Sequence, residues 1–131
     1  MIKKLPYKFA INAMLVLLSL VCVFHFLVIT QIIPYTIVWA GKLNNLQEML
    51  VFETVSLLVN AVLIYVILSK GLYIKSLLSE KILTIILWFF VLVFSLNTVG
   101  NLFSETSFET LVFTPLTFIS AILCFRVIGG E

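Results

Sequence analysis

The chain has 131 residues, of which 63% are hydrophobic and 11% charged, with a net charge of +2. A soluble domain carries about 25% charged residues, so this chain lacks the polar groups to cover its surface in water, and lipid is its solvent. The small positive charge is accounted for by membrane topology and gives no basis for nucleic-acid binding.

A transmembrane helix needs about 20 mainly apolar residues. Four runs qualify, predicting helices over about 9–33, 46–69, 81–101 and 107–128. None alternates with the period of a membrane-spanning strand. The predicted fold class is therefore an all-α membrane protein, an antiparallel four-helix bundle forming one domain over 1–131. The first run is too long for a signal-peptide core, so it reads as an uncleaved helix. Lys3, Lys4, Lys8, Lys70, Lys75, Lys81 and Arg126 flank one set of helix ends, and only Lys42 lies at the other. That asymmetry places both termini and the second loop in the cytoplasm. The expected location is a bacterial inner membrane, with the lipid bilayer as the first partner.

Helix one carries Ser19, Cys22 and His25 at steps of three and runs into Gln31 and Pro34. Proline cannot continue a regular helix without losing a hydrogen bond. The linker that follows holds Tyr35 and Trp39, anchors suited to the outer interface. It is expected to lie in that interface or to dip into the bundle. Helix two opens on Asn45 with Glu48 three residues on, the spacing of a capping box. Glu53, Ser56 and Asn60 then share one face, and Ser69-Lys70-Gly71 closes the helix. Helix three begins near Lys81 and ends among Asn97, Thr98, Gly100 and Asn101. Thr106 and Glu109 give helix four a second capping-box spacing. Thr110, Thr114, Thr117, Ala121 and Cys124 follow as a seam of small residues suited to helix packing in lipid. Pro115 lies inside that seam and is expected to kink the helix and free the carbonyl of Leu111. Cys22 and Cys124 differ in depth by on the order of 10 Å, too far for a disulfide, and read as structural thiols.

The polar residues concentrate in the outer half. Gln31, Glu48, Glu53, Asn97, Asn101, Glu105 and Glu109 all fall there, with His25 nearer the middle. The bundle therefore predicts an outward-opening polar pocket, with Asn60 at its floor. Its expected ligand- or ion-binding residues are Glu53, His25, Gln31, Asn60, Asn97, Asn101, Glu105 and Glu109. Glu48 and Glu109 also suit simple helix capping. Asn97, Asn101, Glu105 and Glu109 repeat at steps of four, yet helix three spans the membrane before Ser104. They read as a tight helix–loop–helix corner. Glu53 stands out, because a carboxylate at that depth costs a few kcal/mol. It needs a proton or a cationic partner: His25, Lys42 or a bound ligand.

No catalytic pattern is present, and no catalytic residue is assigned. A single histidine excludes a multi-histidine metal site, and neither a nucleophile elbow nor a phosphate loop occurs. No cofactor or metal is expected. The one ligand set left open is His25, Glu53 and a second carboxylate.

Two resemblances add to this reading. Ile33-Pro34-Tyr35, Val38-Trp39, Gly41, Phe52-Glu53, Asn97-Thr98, Gly100-Asn101, Phe108-Glu109 and Pro115-Leu116-Thr117 together resemble the pattern of small uncharacterised bacterial four-helix membrane proteins. His25, Phe52-Glu53, Tyr65 and Lys70-Gly71 are similar to positions in the EXPERA family of sterol isomerases and sigma-2-type receptors. That similarity implies a compact bundle with acidic residues facing an internal cavity.

Three functions are compatible with these residues. The leading one is a pocket that binds or helps move a small ligand, ion or proton, with a homo-oligomer needed for transport. A second is a lipid- or isoprenoid-acting enzyme or receptor with Glu53 and His25 as acid and base. A third is a non-catalytic accessory, assembly or immunity-type partner that docks through the seam of helix four.

Overall fold

The computed structural model describes residues 4–34, 44–103 and 109–130, without the side chain of Glu109. Four long helices make up the described chain: α1 (Tyr7–Ile29), α2 (Leu46–Lys70), α3 (Glu80–Leu102) and α4 (Thr114–Ile128). A π-helical turn, Glu109–Phe113, leads into α4. No strand occurs among the described residues. All four helices are long and apolar enough to cross a membrane, that of α4 being counted from Thr110. Only 17–28% of each span is buried inside the protein. The rest presents residues such as Val16, Leu20, Leu58, Ile85, Phe89 and Leu92 outward, as a multi-pass membrane protein requires.

Local chemistry fixes the helix ends. Asn45 Oδ1 accepts the backbone N–H of Glu48 at 2.8 Å, and Glu48 Oε1 reaches back to the N–H of Asn44, also at 2.8 Å. Two orphan donors are thereby satisfied, as the capping-box spacing predicts, although the carboxylate reaches one residue further back. Ser79 caps α3 in the same way through the N–H of Ile82. At the end of α2 the left-handed residue is Leu72 (φ 61°), and Gly71 itself is helical. The N–H groups of Leu72 and Tyr73 close onto the carbonyls of Ser69 and Leu68, the pattern of a Schellman cap. Gly71 is needed for another reason: a Cβ there would sit 2.7 Å from Ile11 Cγ2. Helix α1 ends at Ile29, earlier than expected, because Gln31 turns left-handed (φ 65°) three residues before Pro34. Pro115 sits in the first turn of α4, with the wide π turn just before it. The expected kink takes that form, since proline has no N–H to give Leu111.

The helices form a ring in chain order that closes between α4 and α1. Packing is most extensive between α3 and α4 and least between α2 and α3. One end of the ring is tied by polar bonds among basic residues. Tyr7 donates to the carbonyl of Lys70 at 2.7 Å, and Lys8 to that of Gly71 at 3.1 Å. Lys70 pairs with Glu80 at 2.9 Å, while Arg126 Nε donates to the carbonyl of Leu5 at 2.6 Å. The main core lies just inside this basic end and includes Ile11, Met14, Leu63, Ile67, Leu83, Leu87 and Val127. At the opposite end the buried apolar cluster shrinks to Val28 and Met49 with a few neighbours.

Candidate functional site

The site begins with Glu53. Helix α2 starts at Leu46, so Glu53 lies about 10 Å along it. It is fully buried, and its Oε2 meets Nδ1 of His25 on α1. Of the partners the sequence left open for this carboxylate, His25 is therefore one it has. The histidine side chain keeps 14% exposure against 1% for the glutamate. The carboxylate holds the ring through Nδ1, so Nε2 is the atom left to face a ligand or a proton. No cluster of three histidine, cysteine or acidic side chains able to hold a metal occurs among the described residues.

A second polar group joins α3 to α4. Thr117 Oγ1 lies 2.9 Å from Thr98 Oγ1 and accepts from Asn101 Nδ2 at 3.4 Å. Thr110 Oγ1 donates to the carbonyl of Asn101 at 3.0 Å, in the last turn of α3. These bonds explain the close α3–α4 contact. They also show where the small-residue seam points: Thr117, Ala121 and Cys124 are buried within the chain. These three residues of the seam therefore face the inside of the bundle.

Between these two groups lies a cavity of about 400 Å³. It occupies the half of the bundle away from the basic residues, and all four helices contribute walls. His25, Glu53, Asn60, Asn97 and Asn101 line it, together with Ser56, Thr117 and Ser120. The remaining wall is apolar and includes Leu17, Val21, Phe24, Phe94 and Phe113. Phe24 and Phe113 close edge-to-face at 4.9 Å between ring centroids. Asn60 turns its amide Nδ2 back to the carbonyl of Ser56 at 2.8 Å. The described polar lining is thus one acid–histidine pair and several neutral hydrogen-bonding groups.

Five of the eight expected site residues come together here. Gln31 does not: it is exposed, and its left-handed backbone ends α1 by bonding to the carbonyl of Val28. Glu105 lies outside the described residues, as does the side chain of Glu109 and with it the expected capping box from Thr106. The same holds for Tyr35, Trp39, Lys42 and the predicted interfacial segment. Ser120, Thr117 and the phenylalanines were not expected in the site. The signal for them was periodicity: Leu17, Val21, Phe24 and His25 share one face of α1, and Phe90, Phe94, Asn97 and Asn101 share one face of α3. No known protein family, curated protein or solved structure matches the chain, so the site is read from its chemistry alone.

That chemistry suits binding. The volume falls within the range of about 300–1,000 Å³ typical of small-molecule sites. A mostly apolar wall with a few convergent polar groups is the usual build of such a site. The imidazole, oriented by a carboxylate, can also take up or release a proton.

Proposed function

We propose that this is a multi-pass bacterial inner-membrane protein that binds a small ligand in the cavity beside His25 and Glu53. In this reading the bundle is antiparallel, the basic end and both termini lie in the cytoplasm, and the cavity opens on the other side. One observation carries the proposal: a buried carboxylate–histidine pair stands on the wall of a cavity at membrane depth, beside three asparagines. Such groups are costly in hydrocarbon and are retained where they serve a ligand or a proton. Binding needs only one chain. Moving an ion or proton across the bilayer through so short a bundle calls for a homo-oligomer.

The enzyme reading keeps one specific support. A carboxylate orienting an imidazole is the arrangement of a general acid–base pair. The accessory-partner reading would need a surface other than Thr117, Ala121 and Cys124, which are buried within the chain.

Site-directed labelling tests the proposal. In a background with Cys22→Ala and Cys124→Ala, Asn97→Cys is exposed to a membrane-impermeant maleimide added outside intact cells. The expected result is labelling at Asn97→Cys and none at Leu87→Cys, deep in the packed half. Labelling only after the cells are opened overturns the orientation. No labelling under either condition overturns the open cavity.

A further inference from the structure

A second depression, about 420 Å³ and wholly apolar, runs between α2 and α3 on the outside of the bundle. Val62, Ile85, Ile86 and Phe89 line it, and it shares Val59 and Phe90 with the polar cavity. Val59 and Phe90 therefore form a wall common to the two spaces. This is also the seam where neighbouring helices touch least. Val62, Ile85 and Phe89 are about half exposed, so the groove faces lipid.

Resting on the cavity reading above, we infer that the ligand is a single-chain amphiphile with an uncharged, hydrogen-bonding head group. It enters sideways from the bilayer between α2 and α3. Its head sits among His25, Asn97 and Asn101, and its chain passes Val59 and Phe90 into the groove.

Three physical arguments converge on this class. The first is shape. From Asn101 to Ile85 the two spaces extend about 24 Å along α3, which is long and narrow rather than round. The second is direction. The polar groups lie towards one end of α3, and the wholly apolar groove continues from the middle of that helix away from them, so polarity falls from one end to the other as it does along an amphiphile. The third is charge. Glu53 is engaged by His25, and no lysine or arginine lines either space among the described residues. An anionic head would meet no lysine or arginine there among the described residues. A cationic head would have to compete with His25 for the Glu53 carboxylate. Hydroxyls or amides would find donors and acceptors in the asparagines at no such cost.

The test uses three probes with the same chain: monooleoylglycerol, oleate and oleylamine. Each is added to the purified full chain in detergent, and bound probe is counted by native mass spectrometry. Monooleoylglycerol is expected to show occupancy higher by about tenfold or more than either charged analogue, the size of effect an uncompensated buried charge produces. Val62→Trp and Ile85→Trp fill the groove from its lipid-facing side, where the fold does not depend on them. Each is expected to reduce that occupancy severalfold. Equal binding of oleate or oleylamine overturns the head-group assignment. Unchanged binding in both tryptophan variants overturns the lateral groove. Absence of monooleoylglycerol binding, with Asn97→Cys still labelled from outside, sinks this inference and leaves the cavity reading intact. Loss of both sinks both.

Discussion

At the basic end, Ile11, Met14, Leu63, Ile67 and Leu87 are completely buried and interlock across all four helices with Val127. At the other end, the same four helices enclose about 400 Å³ of space edged by amides, hydroxyls and an acid–histidine pair. The difference follows from the solvent. Lipid tails are as apolar as leucine, so burying leucine gains little by transfer alone, and association rests on close packing and interhelical hydrogen bonds. The packed end supplies the first, reinforced by Tyr7, Lys8 and Arg126 reaching across to neighbouring segments. The cavity end supplies the second through Thr98, Asn101 and Thr117. A bundle clamped at one end can stay open at the other without coming apart.

Breaking the polar pair should have the largest effect. His25→Ala leaves the buried Glu53 without its histidine and is expected to cost about 3–5 kcal/mol, the usual range for removing one partner of a buried pair. The double variant His25→Leu/Glu53→Leu should recover most of that loss, because an apolar pair of similar volume is often no less stable. Unfolding titrations in mixed micelles measure both. If the double variant is as damaged as the single one, the pair is structural, and the functional contrast between the two ends disappears.

The packing contrast gives the next largest effect. Leu87→Ala at the packed end removes a fully buried side chain and should cost about 2–4 kcal/mol. Val93→Ala trims a wall that already borders empty space, and should cost under about 1 kcal/mol. The same unfolding titration compares them. Equal costs would mean that the cavity end is as tightly packed as the basic end.

Much of this division was legible in the sequence. Run lengths located α1, α2 and α3 to within about four residues at each end, and the Asn45–Glu48 spacing located the start of α2. The clustering of polar residues in one half anticipated the cavity, and the cost of a carboxylate at depth singled out Glu53. What stayed hidden depends on rotation and register, which an almost uniformly apolar helix does not encode. Nothing in the sequence ranked His25 ahead of the other candidate partners of Glu53, and the structure shows that His25 is among them. Small residues at steps of three and four marked α4 for close packing, but not whether the neighbour was α3 or another protein. The left-handed turns at Gln31 and Leu72 escaped notice because neither residue favours that conformation. At Leu72 the misleading cue was the adjacent Gly71, which is glycine to clear Ile11.

The smallest expected effect runs in the opposite direction and probes the boundary of the cavity end. Thr114 follows the π turn, and its hydroxyl is buried without a hydrogen-bond partner among the described residues. An unsatisfied buried hydroxyl costs about 1–3 kcal/mol, and valine fills nearly the same volume without it. Thr114→Val should therefore stabilise the protein by about 1 kcal/mol, read as a later midpoint in the unfolding titration. Labelling at Asn97→Cys should not change, because Thr114 is not among the residues lining the cavity. A loss of stability would show that the hydroxyl has a partner in the membrane-embedded protein. The most direct candidate is water reaching α4 behind Thr117, and the polar end would then extend further into the helix than its lining residues indicate.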